Sequence, residues 1–103
     1  MKYEIKIPKT IKVGGFDYKI ELSEKTDKEL ESTQQYGASS QMLRNIKIWT
    51  RPTPQQLSET FLHEILHAVD SVYAHGSLSE EQNASISNGL FQVFEQLGVR
   101  FIK

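Results

Sequence analysis

The sequence predicts one α+β domain, with strands first and helices last, packed as helices on one side of a small sheet. Three observations predict it. Apolar and polar residues alternate with period two through the first quarter of the chain. The second half carries two capped segments with helical periodicity. A length of 103 residues supports one modest core but not two, so 1–103 is read as a single domain.

The first strand is expected where Tyr3, Ile5 and Ile7 alternate with Lys2, Glu4 and Lys6, with Pro8 ending the run. Ile11 and Val13 then lead into Gly14-Gly15, a dipeptide suited to a tight hairpin turn. Beyond it Phe16, Tyr18, Ile20 and Leu22 alternate again. Residues 23–35 are polar; either Asp27 caps a short helix through Glu31 or the stretch is a loop. After a break at Tyr36-Gly37, residues Ile46, Ile48 and Trp49 indicate a strand near 45–50, with Met42 and Leu43 on a partner segment. Residues 1–50 are therefore mostly β. Trp49 and the Phe and Tyr residues are read as core, not as a substrate platform.

Thr53-Pro54-Gln55-Gln56 is a helix start: Thr53 serves as N-cap, Pro54 fits the first helical position, and Gln56 is placed to close a capping box. That helix is expected over 53–74, with Gly76 beyond its end. Ser79-Glu80-Glu81-Gln82 repeats the signal with acids in the first turn, opening a second helix over 79–97. Ile86, Leu90, Val93, Phe94 and Leu97 form its expected apolar stripe, and Gly98 suits its C-terminal cap.

Bulk composition excludes several functions. A net charge of −1 gives no electrostatic case for nucleic acid or an acidic membrane as partner. The absence of cysteine removes disulfides, thiolate metal sites and a cysteine nucleophile. The N-terminal residues lack the apolar stretch of a signal peptide, and no run approaches membrane-spanning length. A cytoplasmic protein is the resulting expectation.

The chemistry is carried by His63-Glu64-Ile65-Leu66-His67, an H-E-x-x-H pattern inside the first long helix. Positions i and i+4 project from one helix face, so two imidazoles there can grip one metal ion. Such a match arises by chance in about a few per thousand chains of this length. Leu57, Phe61, Leu62, Ile65, Leu66, Ala68, Val69 and Val72 cover more than half of the helix circumference, which places the helix in the middle of the domain. The narrow polar side holds His63, His67, Thr60, Glu64 and Ser71, and small Thr60 and Ser71 are expected to leave room for solvent and substrate.

Catalytic zinc typically keeps three protein ligands and one open position. Without cysteine, the third must be an acid or His75, the one remaining histidine. The extended pattern with a third histidine fails here, because Tyr73 stands at that position and Asp70 where glycine is expected. Glu80 and Glu81, opening the next helix, are better placed than His75. Glu80 lies about 90° from the centre of the apolar stripe and Glu81 almost opposite it, so Glu80 is favoured and Glu81 is the alternative. First-turn acids also occur for helix-dipole reasons alone. With His63, His67 and Glu80 holding Zn²⁺, Glu64 would act as general base toward a zinc-bound water attacking a carbonyl. Tyr73, His75 and Tyr36 are candidate oxyanion donors by residue type.

The segment 59–70, followed by Leu78-Ser79-Glu80-Glu81-Gln82 and Gly89-Leu90-Phe91-Gln92-Val93, resembles the small zincin-like proteins of bacteriophages and mobile elements. These are similar in layout to the ImmA/IrrE and SprT-like metallopeptidases. The likeness takes in Ile11-Lys12-Val13-Gly14-Gly15 and Ile46-Lys47-Ile48, and so spans most of the chain. It implies a minimal zincin-like fold, a short twisted N-terminal sheet packed on the metal helix and a C-terminal helix, with the acidic ligand on that helix. Relatives of the ImmA type carry an apolar residue six positions and a leucine ten positions after the acid; from Glu80 these are Ile86 and Leu90. Asn83 departs from the small apolar residue usual three positions on. The implied function is zinc-dependent hydrolysis of peptide bonds in a peptide or protein, in a bacterial or phage-infected cell. The rivals are a zinc amidohydrolase acting on a small or cell-wall amide, and a non-catalytic zinc-binding regulatory module. So short a chain has little second lobe to wall a cleft, leaving that role to a second copy or a partner protein.

Overall fold

The computed structural model describes residues 2–103. Nine elements follow one another: β1 (Tyr3–Lys6), β2 (Thr10–Val13), β3 (Phe16–Glu21), α1 (Glu24–Ser32), β4 (Gly37–Ser40), β5 (Asn45–Ile48), α2 (Pro54–Tyr73), α3 (Glu80–Gln96) and β6 (Val99–Ile102). The fold is α+β, with a four-stranded sheet in the order β2-β3-β5-β4 and a separate pair β1-β6. None of the helices among the described residues is long and apolar enough to cross a membrane.

The hairpin forms where the glycines stand. β2 and β3 pair antiparallel, Ile11 opposite Tyr18 and Val13 opposite Phe16. Gly14 adopts φ +62° in the turn, and a β-carbon there would meet Val72 Cγ1 at 2.6 Å. β3 pairs parallel with β5 across the α1 crossover, and β4 pairs antiparallel with β5 to form the sheet edge. Tyr18, Ile20, Ile46 and Ile48 of this sheet pack against Leu57, Phe61 and Ala68 of α2 in one core. As the wide apolar arc predicts, α2 is central, touching α3 and strands β2, β4, β5 and β6.

Five local expectations are corrected. The N-cap of the first helix lies four residues before Asp27: it is Ser23, accepting the Thr26 N–H at 3.1 Å. Asp27 is instead buried and accepts the Thr50 N–H and O–H at 2.8 and 2.6 Å, clasping α1 to the segment before α2. Met42 and Leu43 lie in a turn, 92% and 71% exposed; the partner of β5 is the Gly-Ala-Ser-Ser strand β4, whose residues carry no apolar signal. β1 does not join the hairpin sheet but runs parallel to β6, a strand too short to announce itself after Gly98. The Gln56 side chain turns to Glu59 and Thr60, so the box at Thr53 is half formed.

The fifth correction matters most for the site. The apolar stripe of α3 faces outward, with Ile86, Leu90, Val93 and Leu97 between 43% and 62% exposed, while Asn83 and Ser87 are fully buried against α2. Phe94 alone of the five packs inward in a defined way, edge-on to Phe101 of β6 at 5.9 Å. Small polar residues let the two helices approach and give α2 hydrogen-bond partners, which periodicity of hydrophobicity cannot detect.

Candidate metal centre

Residues from two helices converge on one point. His63 and His67 project from adjacent turns of α2 with ring centroids 4.9 Å apart. Glu80, the first residue of α3, reaches back so that one carboxylate oxygen lies 3.0 Å from His63 Nε2 and the other 3.0 Å from His67 Nε2. All three groups offer ligand atoms within 4.8 Å of one another. Ligands at 2.0–2.1 Å around a tetrahedral zinc stand roughly 3.3 Å apart, and the two Glu80–histidine separations are close to that value. The nitrogen and oxygen donors are also of the type such an ion takes.

The loop between the helices is built to return Glu80. The Asp70 carbonyl accepts the Ala74 and Gly76 N–H groups at 2.9 and 3.0 Å, and its carboxylate accepts the Leu78 N–H at 3.2 Å. His75 and Gly76 turn the chain with φ of +55° and +68°. Ser79 then caps α3 with both halves of a capping box in place. Asp70 thus fixes the turn that leads to Glu80, which the motif did not reveal. Its signal was available: an acid in the last turn of a helix opposes the dipole, so it needs a specific partner.

Two further residues were missed. Asn83 donates to the His63 carbonyl at 3.2 Å, and the Ser87 hydroxyl lies 3.4 Å from His63 Nδ1 while donating to the Ala84 carbonyl at 3.2 Å. With Nε2 committed to an ion, Nδ1–H would donate to Ser87, fixing the ring orientation. Among the described residues, Asn83 Oδ1 is a buried side-chain oxygen left without a hydrogen-bond partner. Asn83 was noted at the sequence level only as a departure from an apolar residue; here it and Ser87 share with Glu80 the helix face turned toward α2. Glu80 shares their direction but stands at the open end of that face, its side chain 69% exposed.

Glu64 sits beside this cluster and is 6% exposed. Burial pushes its carboxyl up to about 7, against the opposing pull of His63 and a Ser39 hydrogen bond, with Glu80 and Glu59 adding to the rise. Burial also lowers the His67 pKa, outweighing the nearby Glu80. His67 is then mostly neutral at pH 7, and its contact with Glu80 is a hydrogen bond to a carboxylate more than an ion pair. A neutral imidazole is the form that accepts a metal. The strand β4 crosses in front of Glu64 at Gly37, where a β-carbon would meet Thr60 Cγ2 at 2.8 Å and Glu64 Cγ at 3.2 Å.

A cleft of about 390 Å³ opens here, lined by Tyr36, Gly37, Thr60, His63 and Glu64 among others. Thr60 is 4% exposed and packed, so it borders this cleft without creating the free space expected of it. Of the candidate oxyanion donors only Tyr36 reaches the cleft. Tyr73 stands ten residues beyond His63, about 15 Å along the helix, 67% exposed and beside the Gly14 turn. His75 is exposed in the interhelical turn. Glu81 is likewise exposed and takes no part in the three-residue cluster.

Comparison of this chain with protein-family models, with curated proteins and with solved structures finds no match.

Proposed function

We propose that this chain is a single-zinc metallopeptidase of the small zincin-like kind, hydrolysing peptide bonds in a peptide or protein substrate. The observation that carries the reading is the convergence of His63, His67 and Glu80 beside a buried glutamate in an open cleft. Zinc held by that trio would supply a Lewis-acid charge that polarises a carbonyl and acidifies water. Glu64, with a carboxyl near neutrality, is suited to accept a proton from the attacking water and return it to the leaving amine. Tyr36, which lines the cleft, would be the donor to the developing oxyanion. The outer edge of β4, unpaired in the sheet and next to Glu64, offers backbone groups to an extended peptide. The same reading puts the protein in the cytoplasm of a bacterial or phage-infected cell.

The test is zinc stoichiometry and peptide hydrolysis in the wild type, Glu64→Ala and His63→Ala. One zinc per chain is expected in the first two, hydrolysis only in the wild type, and loss of both in the third. Stoichiometric zinc with no hydrolysis of any peptide would favour the non-catalytic module, and hydrolysis confined to small amides the amidohydrolase. Unchanged zinc affinity in His63→Ala would remove the site altogether.

A further inference from the structure

A second concavity, of about 290 Å³, opens next to the metal cleft. Glu31, Gln34, Gln35, Tyr36 and Trp49 line it, and Gln35 and Tyr36 line the metal cleft as well. The two spaces therefore share a wall. Tyr36 belongs to that wall, and on the side of the second concavity its ring pairs with Trp49, centroids 5.8 Å apart and planes tilted by 46°. Tyr36 is 56% exposed, in contrast with the wholly buried Tyr18 of the core. Trp49 is only partly buried. The expectation that this tryptophan belongs to the core is corrected: it sits at the end of β5 and faces a surface pocket.

The one charged group of the pocket, Glu31, is already engaged. Trp49 Nε1 donates to Glu31 Oε2 at 2.7 Å, and Arg51 stands 3.5 Å from the same oxygen. The carboxylate is thus satisfied and partly neutralised, leaving little to attract a lysine or arginine side chain. What remains for a guest is ring surface, bordered by the uncharged Gln34 and Gln35. The Trp49 backbone N–H donates to the Tyr36 backbone carbonyl at 2.8 Å, which holds the aromatic pair at the start of the edge strand β4. In a peptide added along that edge, successive side chains leave on opposite faces, with a rise of about 3.3 Å per residue.

We propose that the Tyr36–Trp49 pocket is a side-chain subsite that takes one large apolar residue, of the leucine or phenylalanine class, from the peptide lying in the metal cleft. The proposal rests on the metallopeptidase reading for its substrate, and it commits the enzyme to a specificity. The volume suits one large side chain and lies at the lower bound of pockets that hold small molecules, roughly 300 Å³.

Trp49 is the sole tryptophan of the chain, so its emission reports occupancy of the pocket without reference to catalysis. The probes are blocked pentapeptides, Ac-Gly-Gly-X-Gly-Gly-NH₂, with X as Leu, Phe, Lys, Glu or Gly, titrated into chelator-treated protein and zinc-loaded Glu64→Gln. The Leu and Phe peptides are expected to shift Trp49 emission saturably, at least about tenfold more tightly than the Gly peptide, as burial of one large apolar side chain implies. Tyr36→Phe keeps the ring and is expected to keep this preference; Tyr36→Ala removes the wall and is expected to abolish it. Equal or tighter binding of the Lys peptide, no difference between Leu and Gly, or an unchanged preference in Tyr36→Ala would each overturn the subsite. The two readings fail separately. A Leu preference in the metal-free titration without zinc binding or hydrolysis keeps the pocket and rejects the peptidase. Hydrolysis by the wild type with equal kcat/KM for Leu and Gly peptides keeps the peptidase and rejects the pocket.

Discussion

Replacing Glu64 with glutamine tests the environment of the proposed base in a way that needs no substrate. In the metal-free fold, burial raises the Glu64 carboxyl from 4.5 to about 7. Because the folded value lies above the unfolded one, its contribution to stability is fully present below pH 4.5 and is lost as pH rises through 7. A shift of about 2.5 units at 1.36 kcal/mol each corresponds to about 3 kcal/mol at pH 8 and above. Glutamine has nearly the same shape and no charge to bury. Metal-free Glu64→Gln should therefore match the wild type near pH 4.5 and exceed it by about 3 kcal/mol at pH 8.5. For a domain of this size that difference moves Tm by on the order of 10–20 °C. The assay is urea and thermal denaturation in chelator across that pH range. His67, whose pKa is lowered by burial, weakens both proteins as pH falls through 6.5 and so cancels in the comparison. A cation in the cluster favours the ionised carboxylate, so saturating zinc should narrow the gap at pH 8.5. Wild-type and mutant stabilities that run parallel from pH 4.5 to 8.5 would refute the buried, uncompensated carboxyl.

Other substitutions probe the frame around it. Gly37→Ala places a methyl 2.8 Å from Thr60 Cγ2 and 3.2 Å from Glu64 Cγ, and is expected to cost about 1–3 kcal/mol in urea denaturation while zinc stoichiometry stays at one. Leu90→Gln, on the outward stripe of α3, is expected to change stability by less than about 1 kcal/mol; Ser87→Leu, at a fully buried position beside His63, should cost several times that and weaken zinc binding. Asp70→Ala removes no ligand, yet by releasing Leu78 it should lower zinc affinity about 10- to 100-fold by isothermal titration.

The parts of the site that were legible in the sequence are those encoded within one helix or one cap. His63, Glu64 and His67 share a helix face by spacing alone, and Ser79 and Gln82 announce the start that sets Glu80. Glu80 itself was selected through the wrong face: its angle was measured from the apolar stripe, and that stripe proves to be the exposed one. The β2–β3 hairpin was visible because glycines and alternation sit side by side. β4, β6 and the polar seam of α3 were not, for a common reason. A Gly-Ala-Ser-Ser strand, a four-residue strand whose partner lies at the other end of the chain, and a helix that buries asparagine and serine all depend on contacts distant in sequence. Trp49 misled in the opposite sense, since its size argues for burial while the exposed Tyr36 beside it opens a pocket.

Two energetic costs stand close together in this fold. The carboxyl of Glu64, buried at a cost near 3 kcal/mol at alkaline pH, and the unpaired Asn83 Oδ1, costing about 1–3 kcal/mol, both flank the His63–His67–Glu80 cluster. Stability that is given up in one place, around three converging ligand groups, is the pattern expected where function and not folding selects the residues. A small domain so arranged has little reserve, and a cation bound by the cluster would return part of what the seam costs. Chelation should then loosen α3 and the 74–79 turn before the sheet, a difference that amide hydrogen exchange with and without zinc can resolve. Uniform protection changes across the chain would place the weakness elsewhere.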